Sequence, residues 1–138
     1  MLNEEIIRVY NINKDYIKEK TREIGKEIGR RYKAYRGKYE LPDLKGRIII
    51  LTDDGIATGF TTKAAIGYIK SQKPKKLILA VPVAPSDLAN QLKKEVDELV
   101  CLNSTNLFSS ISQFYESFPQ VEDNEVKKYL EEINAKSK

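Results

Sequence analysis

Two rhythms of apolar residues divide this chain. Between Asn13 and Tyr35, the apolar positions Ile17, Ile24, Ile28, Tyr32 and Tyr35 fall at intervals of seven, four, four and three. That is the spacing of one helical face. Asn13 can cap the helix with its side-chain oxygen, and Asp15 puts an acid in the first turn, where the helix dipole favours it. Beyond Leu44 the rhythm changes to short unbroken apolar runs at Arg47–Thr52, Leu77–Val83 and Leu99–Leu102. Two helical stretches separate them. The first is Gly59–Gln72, with Ala64, Ala65, Tyr68 and Ile69 available to pack, and Pro74 blocks its continuation. The second follows Ser86 as cap and carries Leu88 and Leu92 on one face. Pro82 is expected to end the ladder of the second strand.

Strand, helix, strand, helix, strand with short links and unalternated apolar strands predicts a parallel sheet covered on both faces. The expected fold class is therefore α/β, a three-layer parallel sheet with a Rossmann-like core, an N-terminal helix and a C-terminal helix. The last helix is placed at Asp123 to about Ile133, with Val126, Tyr129, Leu130 and Ile133 inward. The segment from Arg36 to Lys45, with Gly37 and Pro42, reads as a connector. Residues 1–138 are read as a single domain, with a helical segment at 1–43 and the core at 44–138.

Charge changes this picture little. On the first long helix, Lys14, Lys18, Arg22, Lys26 and Arg30 form one row and Asp15, Glu19, Glu23 and Glu27 another. The rows lie side by side, so acids meet bases at the i,i+3 spacing, as in Glu23 with Lys26. An ion-paired, solvated face is expected rather than a nucleic-acid stripe, which would need unopposed bases. The net charge of +4 is too weak to argue for nucleic acid. No apolar run approaches the ~18 residues of a membrane span, and the acidic start MLNEEIIRVY lacks the form of a secretion signal. One cysteine and no histidine exclude an internal disulfide framework and the usual zinc sites. A reducing cytoplasm is the natural setting. A metal would be a hard cation held by oxygen, with magnesium arriving on a phosphate as the candidate.

The candidate chemistry lies in IIILTDDGIATGFTT, Ile48 to Thr62. In parallel sheets, ligands bind beyond the carboxyl ends of strands, near the helix that follows. Backbone N–H groups from Ala57 to Thr61 can cradle a phosphate there. Gly59 permits close backbone approach, and the Thr58 and Thr61 hydroxyls can donate to phosphate oxygens. Asp53 and Asp54 offer acceptors for a vicinal diol. Two other readings stay open on the residues alone. Asp-Asp-Gly after a strand can be a solvated turn that caps a helix, or the acidic magnesium pocket of receiver domains. The run lacks the G-x-x-x-x-G-K-[ST] pattern of a Walker A loop.

Over about fourteen positions this run resembles the phosphoribosyl pyrophosphate (PRPP) motif of type I phosphoribosyltransferases: four apolar residues, a linking residue, two acids, a short gap, then a small residue and Thr-Gly-x-Thr. PKKLILAVPVAP, DELVCL and FYESFPQV extend the likeness to a bacterial and archaeal branch of that family, from about Leu44 to Val126. The resemblance implies a phosphoribosyltransferase-like core. It assigns Asp53 and Asp54 to the ribose hydroxyls, and Ala57, Thr58, Gly59, Phe60 and Thr61 to the 5′-phosphate. It implies magnesium-bound PRPP as donor and a nitrogen nucleophile, such as a nucleobase, as acceptor. It identifies no catalytic residue in this chain. Some purine-specific members carry an acid where this chain has Ala57. The family's pyrophosphate loop and a Pro-Arg-Gly-Gly-like segment have no counterpart before Leu44, so the chain resembles the middle of a longer enzyme. Two functions are therefore carried forward: a phosphoribosyltransferase, and a non-catalytic module that binds PRPP or a nucleoside monophosphate. A three-strand sheet also leaves an edge to cover, which predicts a homo-oligomer or a partner chain. Cys101 is expected as a buried, inert thiol. Phe114, Tyr115 and Phe118 are expected to pack in the core rather than stack on a base. Pro82 and Pro85 read as strand terminators, and Gly55 and Ile56 as turn residues.

Overall fold

A computed structural model describes residues 4–36 and 42–136. They form two compact units. The larger runs from Pro42 to Phe118, and the other is formed by the described residues before position 37 together with those from Pro119 onward. Gly37 lies outside the described residues.

The larger unit is a three-stranded parallel sheet in the order β1-β2-β3, with β1 at Ile48–Thr52, β2 at Lys76–Pro85 and β3 at Glu98–Thr105. The register sets Ile50 beside Ile78 and Val81 beside Cys101. Helices from Phe60–Ser71 and Ser86–Leu92, numbered α3 and α4 in chain order, join the strands. Both contribute to one core with the same sheet face: Ile66 and Ile69 from α3, Leu88, Ala89 and Leu92 from α4, and Leu77, Leu79 and Val81 from β2. Leu79 and Leu92 are wholly buried. Removing such a side chain to Ala costs about 2–5 kcal/mol.

The α/β class and the parallel sheet stand as expected, but several local expectations change. The strands are not buried on both sides. Alternate residues of the two edge strands are open: Ile48 is 58%, Ile50 64% and Leu102 82% exposed. Unbroken apolar runs signal a parallel strand, yet a strand's side chains still divide between two faces. The inner stripe of α3 is Thr62, Ile66 and Ile69, whereas Ala64 and Tyr68 point to solvent. Those three follow the i, i+4, i+7 spacing; Ile69 is inward as expected, while Thr62 and Ile66 are inward in place of Ala64 and Tyr68. β2 runs through Pro82 to Pro85, because the ladder to β3 resumes at Val83 and Asn103. Only one N–H donor is lost there. Ser86 does not cap α4 with its side chain; it is the first helical residue, and its hydroxyl accepts from Ser104 Oγ at 3.3 Å. Cys101 is half-buried rather than enclosed, and partial burial pushes its thiol up.

In the second unit, α1 spans Glu4–Val9, a stretch with no clear pattern in the sequence, and α2 spans Lys14–Arg36. Asn13 Oδ1 accepts the Tyr16 N–H at 2.7 Å, which is the expected cap. A final helix, α5, covers Asp123–Lys136. It meets α2 through Asp123, which accepts from Arg30 Nη1 at 2.9 Å and from the Tyr35 hydroxyl at 2.6 Å. Ile24 and Ile28 on α2, and Tyr129 and Ile133 on α5, are exposed rather than inward. The ion-paired face forms with partners from outside the predicted basic row as well. Glu23 is engaged by Lys20, and Glu27 by Arg30 and Arg31. These two guanidinium donors hold the Glu27 carboxyl down to about 2. No helix among the described residues is long and apolar enough to cross a membrane.

Candidate functional site

The loop between β1 and α3, residues 53–59, sits at the carboxyl end of the sheet. Its conformation follows from three anchors. The Ile56 N–H donates to Val83 O at 2.9 Å, and the Ile56 side chain is sunk in the core. Gly55 is pressed between Val83 and Ile111, and a Cβ there would lie 2.9 Å from a methyl group of each. Gly59 has φ near +75°, and a Cβ there would meet Leu88 Cδ1 at 2.9 Å. Glycine is thus required at 59 for two reasons, the left-handed backbone and the approach of α4. Gly55 and Ile56, expected as simple turn residues, fasten the loop to β2.

With the middle of the loop tied down, its polar ends stay open. Asp53 and Asp54 follow directly on β1 and are exposed, as are Ala57, Thr58 and Thr61. A pocket of about 180 Å³ opens between them. Six of the seven residues proposed from the sequence line it: Asp53, Asp54, Ala57, Thr58, Gly59 and Thr61. Phe60 is not among the lining residues; it begins α3. A second pocket of about 230 Å³ shares Asp53, Thr61 and Thr62 with the first and continues between β1 and α3 along Leu51, Ala65 and Leu79.

The start of α3 supplies the electrostatics. Gly59 caps the helix without a side-chain hydrogen bond, and no acid stands in the first turn. The first N–H groups of a helix have no partner within it. The positive end of this 12-residue helix therefore faces the pocket. Such a start suits a dianionic phosphate, with Thr58 and Thr61 hydroxyls as further donors.

Two lining residues, Thr62 and Ile111, were missed in the sequence, and a bordering one, Tyr115, was read as core. Thr62 is only 6% exposed and lines both pockets. Its spacing to Ile66 and Ile69 was the available signal. Ile111, in a short 3-10 turn at Ile111–Phe114, closes the pocket from the segment after β3. Beside it, the Tyr115 hydroxyl donates to the Asp54 carbonyl oxygen at 2.6 Å. Neither contact had a local signal, because each joins residues more than fifty positions apart. Tyr115 and Phe118 form a tilted pair at 5.0 Å and are partly exposed rather than core-packed.

The family model described as "Phosphoribosyl transferase domain" matches residues 4–117. The chain belongs to the phosphoribosyl transferase domain family. The match begins well before Leu44, where the sequence motif alone suggested that the likeness starts. Two proteins from strains of Mycobacterium tuberculosis, named "Putative phosphoribosyl transferase" MT0597 and Rv0571c, are each 36% identical over 132 residues. Those matches cover 95% of this chain and 30% of each relative. The crystal structure of TT1426 from Thermus thermophilus superposes with a TM-score of 0.72 at 29% identity, over 91% of this chain and 60% of that one. This phosphoribosyl transferase domain thus spans about a third of the length of the curated relatives it matches.

Proposed function

We propose that the pocket at the end of β1 binds a ribose 5-phosphate group, as PRPP or as a nucleoside 5′-monophosphate. The observation that carries this reading is the open N-terminus of α3 facing a pocket that also holds two adjacent carboxylates. Backbone N–H groups and hydroxyls from Ala57 to Thr61 take the phosphate. Asp53 and Asp54 accept from the sugar diol. Family membership supports the same ligand class.

In a phosphoribosyl transfer, positive charge develops on the sugar ring as pyrophosphate leaves and a nitrogen nucleophile arrives. With the sugar bound at Asp53 and Asp54, their carboxylates would stabilise that charge electrostatically. Magnesium fits this donor set as a companion of the substrate. Among the described residues no group of three or more His, Cys, Asp or Glu is arranged around one ion. Magnesium commonly takes one or two carboxylates and fills its shell with phosphate oxygens and water. Asp53 and Asp54 would be the protein's share, and the ion would offset the charge of the pyrophosphate.

One observation favours a second reading, a binding module without turnover. The pocket lining carries Ala57 and, among its described residues, no titrating side chain besides Asp53 and Asp54. A second chain, whether a copy of this one or a partner, would then complete the site and cover the free edge of β1.

Calorimetry with a nucleoside 5′-monophosphate, and with PRPP plus magnesium, tests both readings. Binding of the monophosphate should weaken about ten- to a hundredfold in Asp54→Asn and in Thr58→Ala, consistent with loss of a hydrogen bond involving a charged group. Pyrophosphate release on adding nucleobases establishes the transferase. Monophosphate binding without release establishes the module. No binding of either ligand rejects both.

A further inference from the structure

We infer that Tyr115 is a positioning residue for the Asp53–Asp54 turn, and that it sets how strongly the site selects ribose over 2-deoxyribose. The inference rests on the ribose 5-phosphate reading above. The turn is fastened from below by the Ile56 N–H on Val83 O, but its carboxylate end has few ties. Among the described residues, the Asp54 N–H reaches only the neighbouring Asp53 Oδ1, at 3.1 Å. The Asp54 carbonyl is held from outside the loop, by the Tyr115 hydroxyl at 2.6 Å. That bond fixes the peptide plane on which the Asp54 side chain is mounted.

Tyr115 can do this because the segment carrying it is itself ordered. Gln113 donates from Nε2 to Leu107 O at 2.9 Å and accepts the Ser109 N–H at 3.3 Å, which folds the chain after β3 into a closed loop. Phe108 and Phe114 pack at 5.5 Å, and Phe118 supports the Tyr115 ring at 5.0 Å. The same segment lays Ile111 against Gly55, in the contact that leaves no room for a Cβ. Two points thus join this segment to the turn: an apolar contact at Gly55 and a hydrogen bond at Asp54. The Tyr115 hydroxyl bonds to the sugar end of the loop, not to the phosphate end at Thr58 to Thr61. Loss of the bond should therefore loosen the sugar end and spare the phosphate end.

Tyr115→Phe removes the hydroxyl and keeps the ring against Phe118. Two measurements on the full chain read the result. In amide hydrogen exchange, the Asp54–Ile56 amides should exchange about fivefold faster in Y115F, the scale of one lost hydrogen bond, while the β2 amides keep their protection. In calorimetry, affinity for ribose 5-phosphate should fall by about the same factor, and affinity for 2-deoxyribose 5-phosphate, which offers the turn one hydroxyl instead of two, should fall less. A merely structural role would weaken both sugars together. Unchanged exchange at Asp54–Ile56, or an unchanged ratio of the two affinities in a chain that binds both, overturns the positioning role alone. Failure of the wild-type chain to bind either sugar phosphate rejects the ribose 5-phosphate reading, and the positioning role with it.

Discussion

The helices α2 and α3 begin in opposite ways. At α2, the chain supplies an acceptor and an acid of its own: Asn13 Oδ1 accepts the Tyr16 N–H, and Asp15 sits in the positive first turn. At α3, a left-handed glycine starts the helix, with no side-chain cap and no acid in the first turn. Both helices carry the same kind of dipole. One end is neutralised by the sequence that precedes it. The other opens on a pocket rimmed by threonine hydroxyls and two aspartates. An unsatisfied helix start is tolerated where something else can supply the acceptor, and in α3 the proposed supplier is the ligand phosphate. The surfaces differ in the same sense. On α2, acids are answered by neighbouring bases, as Glu23 is by Lys20 and Glu27 by Arg30 and Arg31.

The contrast breaks most sharply at Gly59. Gly59→Ala puts a Cβ into a left-handed backbone and against Leu88, and should cost about 1–3 kcal/mol of stability in urea unfolding. It should also abolish monophosphate binding by calorimetry, because the first turn of α3 must shift. A variant of full stability and full affinity would remove the argument that this helix start is built around its glycine. At α2, Asn13→Ala should lower stability by about 1 kcal/mol and leave ligand affinity alone. Altered affinity in that variant would mean that the two helix starts are coupled. The smallest effect belongs to Glu27. Its folded carboxyl lies near 2, below the ordinary 4.5, so its pairing favours the folded state above pH 4.5 and fades as pH falls toward 2. Glu27→Gln should flatten the loss of helical ellipticity over that window. Added salt should shrink the difference between the two proteins, since the ion pairs of Glu27 are open to solvent.

Much of the fold was legible wherever neighbouring residues decide the outcome. The cap at Asn13, the order of strands and helices, and the acid pair followed by Thr-Gly-x-Thr are all local, and six of the seven proposed residues do line one pocket. What escaped reading depends on which side of an element meets another. Unbroken apolar runs did not reveal that Ile48, Ile50 and Leu102 face outward, since an edge strand and a central strand have the same composition. On α3, Ile69 is inward as expected but Tyr68 is not, because Tyr68 is as apolar as Ile66 by count and only the sheet chooses between them.

The sequence by itself determined the chemistry available to this phosphoribosyl transferase domain. It has no histidine, one cysteine, and a stretch in which carboxylates, hydroxyls and glycine follow one another between a strand and a helix. Only the tertiary structure decided how that stretch is held. Gly55 is confined because Val83 and Ile111 close on it, Gly59 by its left-handed backbone beside Leu88, and Asp54 is tied by Tyr115, which lies sixty-one residues further along the chain. Such contacts leave no trace in local spacing. They exist because folding brings the ends of β1 and β2 and the segment after β3 to the same carboxyl end of the parallel sheet.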